Sequence, residues 1–213
     1  PAFLAIVAKQ DAWLSGIGGV AFGLLAVYIF AQLAIAYPQQ TIVEYSSQLL
    51  GRVIGKILAF FYLGFLYILA GLLLENMGFF IISQIVPETP IQAVYIFFML
   101  VVLLALYYGM ESVARTAELF FPIYFLIFVI PTLFIIPEIE LENLKPMLEE
   151  GFKPIFHGSL LFFAFPFSEL SALLMLTSQV GDKKKLVKAF LIGTLTGGVP
   201  LIIVIFLTLM VLG

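Results

Sequence analysis

The chain has 213 residues, 63% hydrophobic and 11% charged, with a mean hydropathy of +1.18 and a formal net charge of −3. Soluble domains carry about a quarter charged residues, so this composition excludes one, and so small a net charge gives no basis for binding nucleic acid. With no cysteine, disulfides, thiolate metal sites and cysteine nucleophiles are excluded, and a single histidine argues against a histidine metal cluster.

A spanning helix needs about 20 largely apolar residues. The chain opens inside such a stretch, PAFLAIVA, with no visible signal peptide, so residues 1–8 are expected to be the outgoing end of a truncated first helix. Full spans are expected at about 12–36, 57–86, 91–108, 119–136, 152–180 and 187–213, all within one truncated transmembrane domain over 1–213. The segment TIVEYSSQLLG (41–51) pairs Thr41 with Glu44 in a capping box and stops at a glycine. Ile42, Tyr45, Leu49 and Val53 recur at helical spacing, which fits a helix lying flat on the membrane or a solvated linker helix.

The span 57–86 would be about 45 Å long and must tilt or project from the hydrocarbon core. Glu75 lies about 27 Å along it. It is either an interfacial carboxylate or a secondary site residue. In GMESVARTAE (109–118), Glu111, Arg115 and Glu118 share one helical face and read as an ion-paired helix end, with a gate as the other reading. The loop PEIELENLKPMLEEG (137–151) is acidic, with a short helix expected between Asn143 and Gly151.

The span 152–180 holds FFAFPFSELSALL, where Pro166 and Glu169 stand three positions apart. Pro166 removes the amide that would bond the Phe162 carbonyl and disfavours helical geometry at Phe165. Prolines alone are common in membrane helices, and Pro131 and Pro200 also sit inside spans without polar company. A carboxylate there costs a few kcal/mol and normally faces a cavity, a partner or a substrate. Ser168 adds a hydroxyl, and Gly158 and Ser159 allow close backbone approach. The pattern reads as a discontinuous helix lining a polar cavity, with Gly158, Ser159, Phe165, Pro166, Phe167, Ser168 and Glu169 as candidate ligand-binding residues. In the last span, GTLTGGVP (193–200) suits close helix packing and flexing at Pro200. No catalytic set is visible: His157, expected near an interface, has no plausible buried acid beside it, and no phosphate-cradling glycine loop is present. No cofactor and no metal is expected.

Several stretches together carry a resemblance: QDAWLS (10–15), PQQTIVEYSSQLLGRVIGK (38–56), PETP (87–90), GMESVARTAELFFP (109–122), PEIELENLKPMLEEGFKPIFHG (137–158), FPFSE (165–169) and DKKKLVKAFLIG (182–193). In this order the series resembles the B subunits of bacterial spore germinant receptors, the GerAB type, across essentially the whole chain. The resemblance implies a ten-helix, LeuT-like fold of the amino acid–polyamine–organocation transporter superfamily, built from inverted repeats with broken first and sixth helices. The present chain would run from the end of helix one through helix seven, with FPFSE on the break of helix six and Pro1 just after the break of helix one. It also implies binding of a nutrient germinant, often an amino acid, partnership with A- and C-type subunits, and residence in the inner membrane of a spore. A proton- or ion-coupled amino-acid permease is the alternative.

Seven of the ten cations, Arg52, Lys56, Arg115, Lys183, Lys184, Lys185 and Lys188, fall on one side of the six spans; Lys9, Lys145 and Lys153 fall on the other. The positive-inside rule then puts 37–56, 109–118 and 181–186 in the cytoplasm and 137–151 outside. Because the chain has no native cysteine, single cysteines can report this directly. In intact cells an impermeant thiol reagent is expected to label Glu140→Cys and to spare Asp182→Cys until the membrane is opened; external labelling of the lysine-rich loop overturns the topology.

Overall fold

The computed structural model describes residues 2–37, 40–146, 148–149, 151–177, 180 and 183–212. The expectations for Pro1 and for residues 181–182 of the lysine-rich loop lie outside these. Every regular element among the described residues is helical. The α-helices among the described residues are α1 (Ala2–Ala8), α2 (Ala12–Ala36), α3 (Ile42–Leu50), α4 (Arg52–Gln84), α5 (Ile91–Tyr108), α6 (Met110–Ile135), α7 (Phe152–Phe162) and α8 (Lys183–Leu212). Six runs among the described residues, from Leu4–Ala36 to Lys185–Val211, are long and apolar enough to cross a membrane. The protein is an all-α polytopic membrane protein.

Two compact units are present, residues 1–49 with 131–213, and residues 50–130. In the second unit α4 packs along α5, with Gly78 pressed against the Tyr95 ring and Val94 buried. Between α5 and α6 stands a single residue, Gly109, at φ +80 and ψ 170, a region essentially reserved for glycine. Met110–Glu118 is therefore the first part of α6, and Arg115 pairs with Glu111 at 2.7 Å on an exposed face, where an ion pair contributes little.

The first unit contains the candidate site. Its chain reverses at the 3-10 turn Lys9–Asp11, where Lys9 adopts φ +47. The reversal is visible at Gly158: a Cβ built there would meet Ser15 at 2.6 Å and Leu4 at 3.5 Å, although in one straight helix those two residues would stand about 16 Å apart. Helices α1 and α2 thus form a hairpin against α7. Ala8, Ala12, Ile205, Leu209 and Met210 close a small core at the hairpin end. At the other end, Ala34, Leu174 and Leu186 form a second cluster flanked by Phe30, Ile42 and Phe190.

Helix α3 begins with Glu44 accepting the Thr41 amide at 2.7 Å and the Thr41 hydroxyl at 3.0 Å, and these bonds, the amide's first, hold the Glu44 carboxyl below its ordinary range. Tyr45 is buried and stacks on Tyr37 at 5.6 Å, docking α3 on the end of α2. The expected apolar stripe does not run on to Val53, because Gly51 at φ +82 ends α3 and Val53 belongs to α4, fully on the surface. The short helix expected between Asn143 and Gly151 is also not what forms among the described residues. A 3-10 turn spans Leu141–Leu144 instead, and Lys145 before Pro146 is extended, as the proline ring requires of its predecessor.

What joins α2 to the site is glycine. A Cβ on Gly19 would lie 2.6 Å from the Phe162 ring, one on Gly23 would lie 2.5 Å from the Phe167 ring, and one on Gly18 would fall on the Ser159 hydroxyl. Helices in lipid gain nothing from excluding water, so close van der Waals approach of this kind is what holds them. Gly19→Ala and Gly23→Ala should each destabilise the protein by about 1–3 kcal/mol through overpacking, read as a lower Tm in detergent. Gly64→Ala and Gly71→Ala, where an added Cβ meets nothing within 4 Å, should leave Tm unchanged or raise it; equal losses at all four positions would sink the glycine-seam explanation.

Candidate functional site

Gly151, at φ +73, opens α7, and the helix runs regularly through Phe162. From Phe163 to Phe167 the chain follows a π-helix, then a 3-10 helix over Ser168–Met175. The wide turn is the answer to Pro166. In an i→i+5 pattern a carbonyl is reached from one residue further along, so the chain can step over a residue with no amide: Ser168 N–H donates to the Phe163 carbonyl. The Ser168 hydroxyl donates to the Ala164 carbonyl, four residues back. The expected discontinuity is thus a change of helical pitch, and the Ser168 amide and the Ala164 carbonyl are both engaged within the segment.

The seven candidate residues are divided among different surroundings. Gly158 and Ser159 are buried in the contact with the hairpin, where the Ile155 carbonyl accepts the Ser159 hydroxyl at 2.8 Å and the Ser15 hydroxyl at 3.1 Å. Phe167, 3% exposed, is wedged between Gly23 and Gly198 and meets Phe162 edge to face at 5.9 Å. Phe165 points away, 75% exposed. Pro166 and Phe167 line an apolar groove of about 510 Å³ that continues along α8. Ser168 and Glu169 are half-buried. Glu169 has no hydrogen-bond or ion-pair partner among the described residues, so its charge is available to a bound group. Glu75 is exposed in the other unit. His157 is exposed. Among the described residues no three His, Asp or Glu side chains gather as metal ligands.

One residue that carries weight here was not singled out as a candidate. Asp11, 7% exposed, sits at the hairpin turn and takes the Leu148 N–H on both carboxylate oxygens, at 3.0 and 2.9 Å. Leu148 is itself left-handed at φ +59, a conformation a leucine does not choose unaided. The same strap reaches α8: the Glu140 amide and the Asn143 side-chain amide both donate to the Met210 carbonyl, at 3.1 and 2.9 Å. The signal in the sequence was a carboxylate between two apolar helices in KQDAWLS, a position where it must either reach water or find a donor.

The family described as "Spore germination protein" matches residues 2–213. Spore germination protein KB of Bacillus subtilis (strain 168) is 28% identical over 209 residues, 97% of this chain and 56% of that protein. YndE, a spore germination protein of the same organism, is 28% identical over 87% of this chain and 51% of its own length. Spore germination protein XB of Bacillus anthracis is 28% identical over 60% of this chain and 35% of its own. The chain thus spans about half the length of the first two. No solved structure matches the chain.

Removing the Asp11 charge leaves the Leu148 amide with a weaker acceptor. Asp11→Asn should cost about 1–3 kcal/mol and speed amide hydrogen exchange in 141–149 while leaving α2 protected. Unchanged exchange in that strap would show that it is held by its Met210 contacts alone.

Proposed function

Because the chain belongs to the family of spore germination proteins, we propose that it is part of a germinant receptor membrane subunit that binds a nutrient germinant, an amino acid, in a transporter-like cavity and thereby triggers germination. The observation that carries this reading is Glu169, a half-buried carboxylate without a partner among the described residues, immediately after a π-to-3-10 transition within an apolar, membrane-length segment. A carboxylate left unsatisfied in lipid would cost a few kcal/mol. A ligand or a proton removes that cost, and either would couple the helix break to occupancy.

A zwitterionic amino acid offers an ammonium and a carboxylate. Broken helices receive such ligands on free amides and carbonyls, but with the Ser168 amide already bonded to Phe163 and the Ala164 carbonyl to Ser168, the side chain of Glu169 is the more available polar group. Glu169 orders the break or carries a proton, with direct contact to the ammonium as the alternative. The proposal also includes residence in the spore inner membrane, A- and C-type partner subunits, and the inverted-repeat architecture in which this segment would be the sixth helix. Chemistry on the ligand has no part in it. A proton-coupled amino-acid permease would use the same unpaired carboxylate, and uptake of labelled amino acid into vesicles separates the two.

In the full-length protein, Glu169→Gln keeps shape and removes charge. At matched abundance in the membrane it should weaken germinant response by at least about tenfold, the equivalent of about 1.4 kcal/mol of coupling. Glu75→Gln should change it by less than about twofold, since an exposed carboxylate near an interface is cheap. A Glu169→Gln protein that responds like the parent makes the carboxylate structural and removes the basis for this site.

A further inference from the structure

We propose that the contact between the α1–α2 turn and the strap joining α6 to α7 is a spring-loaded latch. Asp11 holds Lys9 and Leu148 in left-handed backbone, and release of its one bond lets both relax and loosens the hairpin on α7. Among the described residues five have a positive φ, and three of them, Gly51, Gly109 and Gly151, are glycines. The other two are Lys9 at +47 and Leu148 at +59. Lys9 begins the turn that Asp11 ends, and the Leu148 amide is the group that Asp11 binds, at 3.0 and 2.9 Å. The described chain thus uses glycine where this conformation stands apart from the contact, and larger residues on both sides of it. Each larger residue lowers the population of the closed form by about five- to thirtyfold. Strain of this kind persists where the surroundings enforce it, as in clamps and switches.

The open form strands no polar group. Asp11 stands at a turn, and a gap of about 10 Å³ bordered by Lys9, Gln10, Asp11 and Glu149 lies against it, close to the room that one water needs. Water entering there can take over both the carboxylate and the released amide. Opening also has a route to the helix break. Asp11 precedes Ser15 by about one turn, and Ser15 donates to the Ile155 carbonyl of α7. Further along the same helix Gly18 and Gly19 lie against Ser159 and Phe162, and Phe162 immediately precedes the π segment that leads to Glu169. One continuous helix therefore links the latch to the break. On the germinant-receptor reading, on which this part rests, the strained closed form is the resting state and the response proceeds with its release.

In the full-length protein in detergent, hydrogen exchange of the amide at position 148, corrected for each side chain's intrinsic rate, reports how often the latch opens. Leu148→Gly and Leu148→Asn suit the left-handed region and should slow exchange by about threefold or more. Leu148→Ala shortens the side chain without that freedom and should not slow it. Leu148→Val, β-branched at positive φ, should speed it by at least about fivefold. If the Gly, Asn and Ala variants exchange alike, side-chain packing sets the rate and the latch is overturned. The second measurement is the response to a mixture of the proteinogenic amino acids, at matched abundance in the membrane. The concentration needed should rise by about threefold in Leu148→Gly and fall by about as much in Asp11→Asn. Shifts in one direction, or none, while the exchange order holds, overturn the coupling to the site. A parent that does not respond to amino acids removes the receptor reading instead, and the exchange order then decides the latch by itself.

Discussion

Pro166 has no N–H to give, and a bilayer offers no water to make good the loss. A proline inside a helix costs about 3 kcal/mol or more, through the missing bond and the ring's clash with the preceding turn, and in lipid each stranded carbonyl adds to that. The chain meets the constraint by widening: the π segment Phe163–Phe167 passes over the proline, and the tighter 3-10 segment Ser168–Met175 follows. The consequence is rotational. A change of residues per turn redirects every side chain beyond it, so Phe162 and Phe167, five positions apart and about 140° apart on a regular α-helix, both face α2.

The glycine seam of α2 makes that redirection tolerable. Phe162 and Phe167 flank the π segment, and both rings seat where Gly19 and Gly23 have no Cβ. The widened turn is thereby gripped at its two ends by one straight helix. Below it, Ser15 and Ser159 share the Ile155 carbonyl, so the hydroxyls inside the apolar contact spend their hydrogen-bonding capacity locally, as buried hydroxyls must.

Two carboxylates of this unit have opposite fates. Asp11 is enclosed and shares one backbone N–H between its two oxygens, which fixes the strap between α6 and α7 to the turn of the α1–α2 hairpin. Its burial has a structural reason. Glu169 has comparable chemistry and no such donor among the described residues. The distinction between them is one of place as well as of partners: Asp11 stands at the turn between two helices, Glu169 inside an apolar, membrane-length segment.

Composition and periodicity determined the class of this protein: only helices and closed barrels satisfy the backbone in lipid, and an unbroken apolar run of about 20 residues fits a helix, where a barrel strand takes about 10. The break at Pro166 was legible for the same reason, since a proline's missing amide is a local fact. The side each candidate residue faces was not. Gly158 and Ser159 pack against the α1–α2 hairpin, and Phe167 packs on Gly23 while lining the groove along α8; orientation after a π turn depends on how many residues the wide turn takes up, and no sequence period records that. Asp11 went unrecognised because its partner, the Leu148 amide, lies 137 residues away, and main-chain donors leave no mark in composition. The groove along α8 depends likewise on two faces meeting: the spacing from Leu186 to Leu201 is a helix face like any other until the 3-10 segment stands opposite it and leaves Gly193 and Gly197 uncovered.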